Sequence, residues 1–231
     1  MFARVLVVLG ALALAGCAST RPESPPRDLV VLVHGMGRTP LSMAPLAISL
    51  QRAGYRVLNV GYDSQRPGVA EIGAALSDRV AQELAAEPAP RVHYVGHSLG
   101  TVVIRWHLLH DPPPGADRVV MLAPPNQGAA SADRFAPLIG WALPPIRELR
   151  ATGGTAADLG PLPDVAVAVV AGDRDGKVAV AETCLDGAQH RVVPSGHTAL
   201  MWRPRVLRLV RGFLDTGELL GAGCACTDVP S

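Results

Sequence analysis

The stretch RVHYVGHSLGTVVIRWHLL, Arg91–Leu109, decides the fold class of this chain. Its first half is a short aliphatic run typical of a buried strand, and its second half is typical of a helix. Ser98 lies at the junction, between Gly96 and Gly100, so the bend has the pattern G-x-S-x-G. A sharp strand-to-helix turn strains the residue at the bend, and glycines allow the backbone to pack closely around it. We therefore predict that the Ser98 hydroxyl projects as a nucleophile; a plain glycine-rich turn is the alternative.

The same alternation extends outward from this stretch. Short aliphatic runs predict strands at Leu29–Val33, Arg56–Val60, Val92–Val95, Arg118–Leu122, Val165–Ala171 and His190–Val193. Amphipathic runs predict helices near Ser42–Ala53, Val69–Glu87, Leu99–Leu109 and Arg203–Leu214. Strands that alternate with helices form βαβ units. We therefore predict an α/β fold with a mainly parallel six-stranded sheet and helices on both faces.

Length, composition and charge indicate a globular domain that does not bind nucleic acids. The chain has 231 residues, of which 48% are hydrophobic, and its formal net charge is +1. That length suits one globular domain with a full core. Arg4 is the only charge in residues 1–16, so removal of that segment leaves a neutral chain. A neutral chain lacks the basic surface of a nucleic-acid-binding protein. Separately, we expect the protein to be a monomer.

Residues 123–164 interrupt the alternation, because they contain no strand signal. Such a long connection is functional or carries helices of its own. Phe135, Leu138, Ile139 and Leu143 form an approximate helical stripe, with Trp141 beside it. Two interpretations stay open: a helix packed on the core, or a small cap over a pocket.

A serine nucleophile needs a base, and seven histidines are available. His97 precedes Ser98 and is expected to point away from it, while His93 lies in a strand. His107 and His110 are three apart on a predicted helix, where we expect them at the surface. His197 lies in a loop after the last predicted strand, which makes it the best candidate for the base.

The base in turn needs an acid that holds its tautomer. Asp173 and Asp175 both lie in the loop GDRDGKV, directly after a strongly aliphatic strand. From the residues alone, either carboxylate could serve.

From Leu29 to Leu214 the chain resembles the α/β-hydrolase superfamily, and more narrowly its small bacterial lipases and esterases. GDRDGKV resembles the acid-loop pattern G-x-x-D-x-x-V of that family. The resemblance implies Asp175 as the acid rather than Asp173. It also implies the chain order Ser98, Asp175, His197 for the triad.

VLVHGMGR, Val31–Arg38, resembles the oxyanion loop of the same family. The resemblance implies that the backbone N–H groups of Met36 and Leu99 form the oxyanion hole. It further implies a carboxylic ester hydrolase that works through an acyl-enzyme, with no metal and no organic cofactor. A thioesterase or amidase of the same fold, and a non-catalytic binding lipoprotein, remain alternatives. With six predicted strands, the chain resembles the minimal lipases.

The N-terminus is predicted to lie outside the fold. Residues 1–16 have the form of a secretory signal peptide. Leu14–Cys17 resembles a bacterial lipobox, which implies lipidation of Cys17, a periplasm-facing membrane lipoprotein and, from Ala18, a preference for the outer membrane. Residues 17–28 are rich in proline and are expected to form a tether. The hydrolase domain is then 29–216, with 123–164 as a possible cap insertion and 217–231 as a tail.

Three further cysteines are Cys184, Cys224 and Cys226. Export to an oxidising compartment permits a disulfide. The two C-terminal cysteines are both candidates to pair with Cys184, and the sequence leaves the choice between them open. Their spacing does not suggest a metal site.

Overall fold

The computed structural model describes residues 26–223 and 226, so Cys17, the predicted signal peptide, most of the predicted tether and Cys224 lie outside the described residues. Within this part of the chain six parallel strands form one sheet in the order β2-β1-β3-β4-β5-β6. The strands are β1 Leu29–Val33, β2 Arg56–Val60, β3 Val92–His97, β4 Ala116–Leu122, β5 Ala166–Gly172 and β6 Gln189–Val193. The predicted fold class is confirmed, and the first two strands have the predicted bounds.

The helices alternate with these strands. They are α1 Ala44–Arg52, α2 Val69–Ala86, α3 Leu99–His110, α4 Ala130–Ile139, α5 Pro145–Glu148, α6 Thr155–Asp158 and α7 Pro204–Thr216. Short 3₁₀ turns lie at Pro40–Met43, Ala181–Thr183 and Ala199–Trp202. None of the helices described is both long and apolar enough to cross a membrane.

The sheet is covered on both faces, and β1 shows why. All five of its residues have 0% exposed surface. Leu29, Val31 and Val33 pack in the core that contains α2 and α3, whereas Val30 and Leu32 pack in the core that contains α1 and α7. Successive side chains of a strand point to opposite faces, so a strand buried on both faces must be apolar throughout.

The strand order places a topological switch point between β1 and β3. The chain leaves β1 toward β2 on one side and then returns to β3 on the other side. Because all strands are parallel, the residues that follow each strand share one edge of the sheet. In open α/β sheets the crevice at this edge is where ligands bind. His34, Ser98, Asp175 and His197 all follow strands at this edge.

Residues 123–164 fold into α4, α5, α6 and their connections. The buried side of α4 carries the small residues Ala132 and Ala136. The larger side chains of the predicted stripe are exposed: Phe135 by 47% and Leu138 by 66%, with Trp141 by 79%. Of the two interpretations left open, packing on the core does not hold for these bulky side chains, because alanines make the close contact.

Arg105 of α3 ties this segment to the rest of the domain. It is fully buried, and its guanidinium donates to the carbonyl oxygens of Asn126, Ala156, Leu159 and Gly160 and to the Asn126 side chain. No carboxylate pairs with it among the described residues, and burial lowers its pKa to about 10. Burying a charge is costly unless its donors find acceptors. Oxygen atoms, most of them from the backbone, accept from both terminal nitrogens of the guanidinium, whereas its Nε has no partner among the described residues.

Cys184 is bonded to Cys226, which resolves the pairing that the sequence left open. The bond joins the C-terminal tail to the chain directly after the Ala181–Thr183 turn. A ring nitrogen of His190 lies within 4.8 Å of both sulfur atoms. Since both sulfurs belong to the disulfide, neither is a thiolate that could bind a metal here.

Replacing Arg105 by Leu should destabilise the domain, because several buried carbonyl oxygens would lose their donor. We expect the free energy of unfolding to fall by about 3–5 kcal/mol, measured by urea denaturation followed by circular dichroism. The exposed Arg134 of α4 supplies the control. Arg134→Leu should change stability by no more than about 0.5 kcal/mol. An Arg105→Leu variant as stable as the wild type would contradict this role.

Candidate active site

Ser98 occupies a strained backbone position between β3 and α3. Its φ of 53° and ψ of −124° lie in a region that residues with a side chain rarely adopt. Strain of this kind persists only where the surrounding structure enforces it, and it is common at functional sites. The serine is 9% exposed and lies at the carboxyl edge of the sheet.

Glycines make this turn possible because backbone passes where a Cβ would lie. A Cβ on Gly96 would lie 2.9 Å from the Thr101 backbone nitrogen, and one on Gly100 would lie 2.3 Å from the Val33 carbonyl oxygen. A Cβ on Gly35 would lie 3.2 Å from the Ser98 Cβ. The loop after β1 and the start of α3 are therefore in direct contact.

His197 connects the serine to an acid. Its Nε2 lies 3.0 Å from the Ser98 Oγ, and its Nδ1 lies 2.7 Å from Asp175 Oδ2. An ionised carboxylate only accepts, so Nδ1 carries the proton and Nε2 is free to accept from the serine hydroxyl. The sequence predicted all three residues, and the structure brings them into one hydrogen-bonded chain.

The surroundings of Asp175 keep it ionised. Its side chain is 1% exposed, and its Oδ1 accepts from the backbone N–H groups of Lys177 at 2.8 Å and Val178 at 3.0 Å. Burial alone would raise the pKa of this carboxyl, but the hydrogen bond and charge of His197 and the two backbone donors outweigh burial and lower the pKa. Hydrogen bonds to the charged form have this effect.

Asp173, the other candidate, has a different contact. Its Oδ1 accepts from the Ser195 backbone N–H at 3.0 Å, and its side chain is 46% exposed. It thus braces the loop that carries His197 without bonding to the imidazole. The geometry distinguishes the two aspartates in favour of Asp175.

Met36 and Leu99, the two residues expected to supply the oxyanion hole, lie in the loop after β1 and at the start of α3. Leu99 is the first residue of α3, and the first N–H groups of a helix have no acceptor within that helix. Met36 lies in a turn closed by the hydrogen bond from the Arg38 N–H to the Gly35 carbonyl, and it lines the same cavity as Ser98. Gly37 follows with a φ of 66°, a value that glycine adopts readily.

The loop after β2 supports this turn, a role that sequence patterns did not reveal. The Tyr62 hydroxyl donates to the His34 carbonyl, and the two rings stack with centroids 4.3 Å apart. The Ser64 Oγ accepts from the Gly37 N–H at 3.0 Å. These side chains belong to no motif, and only the pairing of β1 with β2 brings them to the site.

His97 also differs from expectation. It was expected to point away from the site, yet it lines the cavity, and its ring lies 4.9 Å from the His197 ring. Its Nε2 donates to the His197 carbonyl oxygen at 3.0 Å, which fixes the backbone of the base. Burial, then the nearby charge of His197, lowers the pKa of His97 to about 3, so this ring stays neutral.

The expectation that His107 lies at the surface is wrong. This residue is 1% exposed, and its two ring nitrogens contact the Ser77 Oγ at 2.7 Å and the Tyr94 hydroxyl at 2.9 Å. His110 is exposed, as expected, and stacks on Trp106. The three-residue spacing puts the two histidines in different environments, so they do not form a common ligand pair.

A cavity of about 330 Å³ opens beside Ser98 and His197. Most of its wall is apolar and comes from the segment that holds α4 and α5, with Phe135, Ile139, Ile146 and Leu149 as its large side chains. Arg38 and Lys177 are the charged side chains on its lining. Ser98 therefore lies at a largely apolar pocket whose lining includes two residues with cationic side chains.

Comparison with known proteins agrees with this architecture. A family model of the alpha/beta hydrolase fold matches residues 28–223, while no curated protein matches the chain. Mature lipase BlEst2 of Bacillus licheniformis superposes with a TM-score of 0.70 at 16% identity, covering 83% of this chain and 92% of that one.

Two other solved structures are similar in fold. Esterase PF2001 of Pyrococcus furiosus gives a TM-score of 0.65 at 20% identity and covers 83% of this chain and 82% of that one. Phospholipase PlaB of Legionella pneumophila gives 0.63 at 16% identity over 80% of this chain, which spans only 59% of that protein. Sequence identities this low support a shared fold and nothing more. The family model, in contrast, matches nearly all of the described residues. The chain belongs to the α/β-hydrolase fold family.

Proposed function

We propose that this chain is a serine hydrolase that cleaves carboxylic esters. The observation that carries the proposal is the hydrogen-bonded chain from Asp175 through both ring nitrogens of His197 to the Ser98 Oγ. Hydrolysis by a serine requires a nucleophile, a base and a group that orients the base, and each of these three side chains fits one role. The strained backbone at Ser98 supports the same assignment.

In the proposed reaction His197 Nε2 takes the hydroxyl proton as the Ser98 Oγ attacks the ester carbonyl. The backbone N–H groups of Met36 and Leu99 donate to the oxyanion, a contribution of about 10²–10³ in rate for each such donor. The imidazolium then protonates the leaving alcohol and an acyl-enzyme remains. Water repeats the sequence and releases the acid. Asp175 holds the imidazole and stabilises its positive charge throughout.

The cavity supports an acyl ester as the substrate class. Its apolar wall suits the hydrocarbon part of an acyl group, because burial of apolar surface is favourable. Structural neighbours named as lipases and esterases agree with this class. A thioester or an amide has the same acyl half, so the leaving group must be determined by experiment.

A fluorophosphonate probe tests the nucleophile, since it reacts covalently with an activated serine. We expect the wild type to be labelled and Ser98→Ala to lose labelling and ester hydrolysis together, measured by in-gel fluorescence and by release of p-nitrophenol. Ser195→Ala, which changes a buried serine on the loop before His197, is the control that should still be labelled. Equal labelling of the wild type and Ser98→Ala would refute the assignment, and an unlabelled wild type would favour a binding lipoprotein.

Asp175→Asn should reduce turnover by about 10³–10⁴-fold, because the imidazole would lose the partner that selects its tautomer. The reduction should appear in kcat for a p-nitrophenyl ester. Asp173→Asn, a change of the same kind two residues away, should have a much smaller effect. Loss of activity in Asp173→Asn with retention in Asp175→Asn would move the acid to the other residue.

Asp175 should also make stability depend on pH. Because its pKa is lowered in the fold, its ionised form stabilises the domain above its unfolded pKa, and this contribution is lost as pH falls through the folded pKa. The difference in unfolding free energy between the wild type and Asp175→Asn should therefore shrink as pH falls through the acid range. Urea titrations at several pH values measure it, and a constant difference would contradict the hydrogen-bonding role.

We further propose that the enzyme is exported and held on a bacterial membrane by lipid on Cys17. The lipobox and the proline-rich stretch before β1 support this, and Cys17 lies outside the described residues. Cys17→Ala should move an active enzyme from the membrane fraction to the soluble fraction, whereas Ser19→Ala should stay with the membrane. Activity is assayed in both fractions after ultracentrifugation. A Cys17→Ala protein that stays membrane-bound would refute the anchor.

A further inference from the structure

Two positive charges line the cavity that contains the proposed nucleophile. Arg38 follows the turn that carries Met36, and Lys177 follows Asp175 by two residues. The cations thus come from the two loops that flank the reacting atoms. Hydrolysis of a neutral ester needs neither of them, since the proposed triad and oxyanion hole use other groups.

Neither charge is neutralised within the part of the chain that the structure describes. No ion pair involves Arg38 or Lys177 there, and none of the residues lining the cavity is acidic. Asp175 lies outside the cavity lining; its side chain is 1% exposed, and its oxygens accept from His197 and two backbone N–H groups. The two cationic side chains therefore have no acidic partner in the wall of the cavity.

The Arg38 guanidinium is held in place. Its Nη2 donates to the Thr198 Oγ1 at 3.0 Å, and Thr198 directly follows the base. Burial is the main cause that lowers the pKa of His97; the Arg38 charge adds a small contribution in the same direction, and the Asp175 charge a larger one in the opposite direction. One guanidinium nitrogen is used in this bond, and the fork retains further donors for a ligand.

Lys177 is anchored through its backbone. Its N–H donates to Asp175 Oδ1 at 2.8 Å, and its carbonyl accepts from the Ser131 hydroxyl of α4 at 2.6 Å. The residue as a whole is exposed, so the ammonium remains hydrated and accessible. The backbone is fixed at the point where the acid loop meets α4.

The rest of the cavity wall is apolar, so a ligand that fits it has both an anionic group and a hydrocarbon part. Phe135, Ile139, Ile146 and Leu149 favour a hydrocarbon chain. The planar guanidinium of arginine favours an anion that can accept two parallel hydrogen bonds, and a phosphate group has this geometry. Lysine adds a compact positive charge. A molecule with both parts is an acyl ester that carries a phosphate group.

We propose that Arg38 and Lys177 form a subsite for the phosphate group of an acyl ester whose hydrocarbon chain lies against α4 and α5. The proposal rests on the ester hydrolysis proposed above and names its substrate class. Attack by the Ser98 Oγ breaks only the acyl–oxygen bond, and water then releases the fatty acid from the acyl-enzyme. The phosphate stays on the alcohol product, and the hydroxyl of that product takes the proton from His197.

Kinetics on two matched esters test the subsite. The pair is octanoyl glycerol phosphate and uncharged octanoyl glycerol, compared by kcat/KM from fatty-acid release. We expect the wild type to prefer the phosphate ester, and Arg38→Gln and Lys177→Gln each to reduce the preference ratio about tenfold. Arg211→Gln, on the exposed face of α7, is the matched control and should keep the wild-type ratio. Added salt should weaken the preference, because salt screens exposed charges.

A binding experiment separates this proposal from the hydrolase proposal, since it needs no turnover. Octyl phosphate, octanol and inorganic phosphate are titrated into the wild type by calorimetry. Octyl phosphate should bind more tightly than octanol, and the double variant Arg38→Gln/Lys177→Gln should lose that difference. Binding of inorganic phosphate alone would assign a general anion site and overturn the acyl-ester proposal if octyl phosphate binds no better.

The outcomes are distinct. Equal hydrolysis of both esters by the wild type, or a ratio unchanged in both single variants, overturns the subsite and leaves the hydrolase intact. Octyl phosphate bound through Arg38 and Lys177 without hydrolysis of either ester supports the subsite and overturns the hydrolase. A fold defect in a variant is recognised by circular dichroism, and Arg38→Lys, which keeps the charge, then tests the subsite through partial retention of the ratio.

Discussion

The first turn of α3 packs directly on the end of β1, and the rest of the site depends on this contact. A side chain on Gly100 would collide with the Val33 and His34 carbonyl oxygens. The absence of that side chain lets the helix N-terminus, the serine and the loop after β1 share one small volume. The strained conformation of Ser98 is enforced by this close packing. An alanine at position 100 would force these elements apart, with no change in any group that reacts.

A positive charge on His197 would be stabilised by the carboxylate of Asp175 and would not be opposed by a charge on the neighbouring His97 ring. Asp175 is kept ionised by four interactions that outweigh its burial. His97 packs against the His197 ring, yet burial holds its pKa at about 3, so the adjacent ring is neutral at physiological pH. A second protonated imidazole at that distance would oppose protonation of the base. The neutral histidine thus supports the backbone of His197 without an electrostatic cost.

Local patterns were sufficient to predict the sheet, Ser98 and His197, whereas the choice of Asp175 over Asp173 rested on the resemblance to a family loop pattern. Aliphatic runs flanked by turn residues located β1 and β2 to the residue, and G-x-S-x-G located the bend, because these signals are contained in a few neighbouring positions. Contacts between residues that are far apart in the sequence could not be predicted from such local patterns. The roles of Tyr62, His97 and His107 depend on which strands are neighbours and on which helix face is buried. The stripe could not decide between its two interpretations for the same reason: Phe135 and Ile139 line a cavity that exists only after the chain has folded.

Arg105 holds residues 123–164 almost entirely through main-chain oxygens. Nearly any amino acid presents the same carbonyl, so the identity of the side chains in this segment is largely free of the clamp that retains it. The cavity wall that they build can accordingly change through mutation while the hydrogen-bonded chain of Ser98, His197 and Asp175 stays constant. Because one buried guanidinium anchors this segment through its backbone, substitutions there can alter the shape of the cavity without removing the anchor.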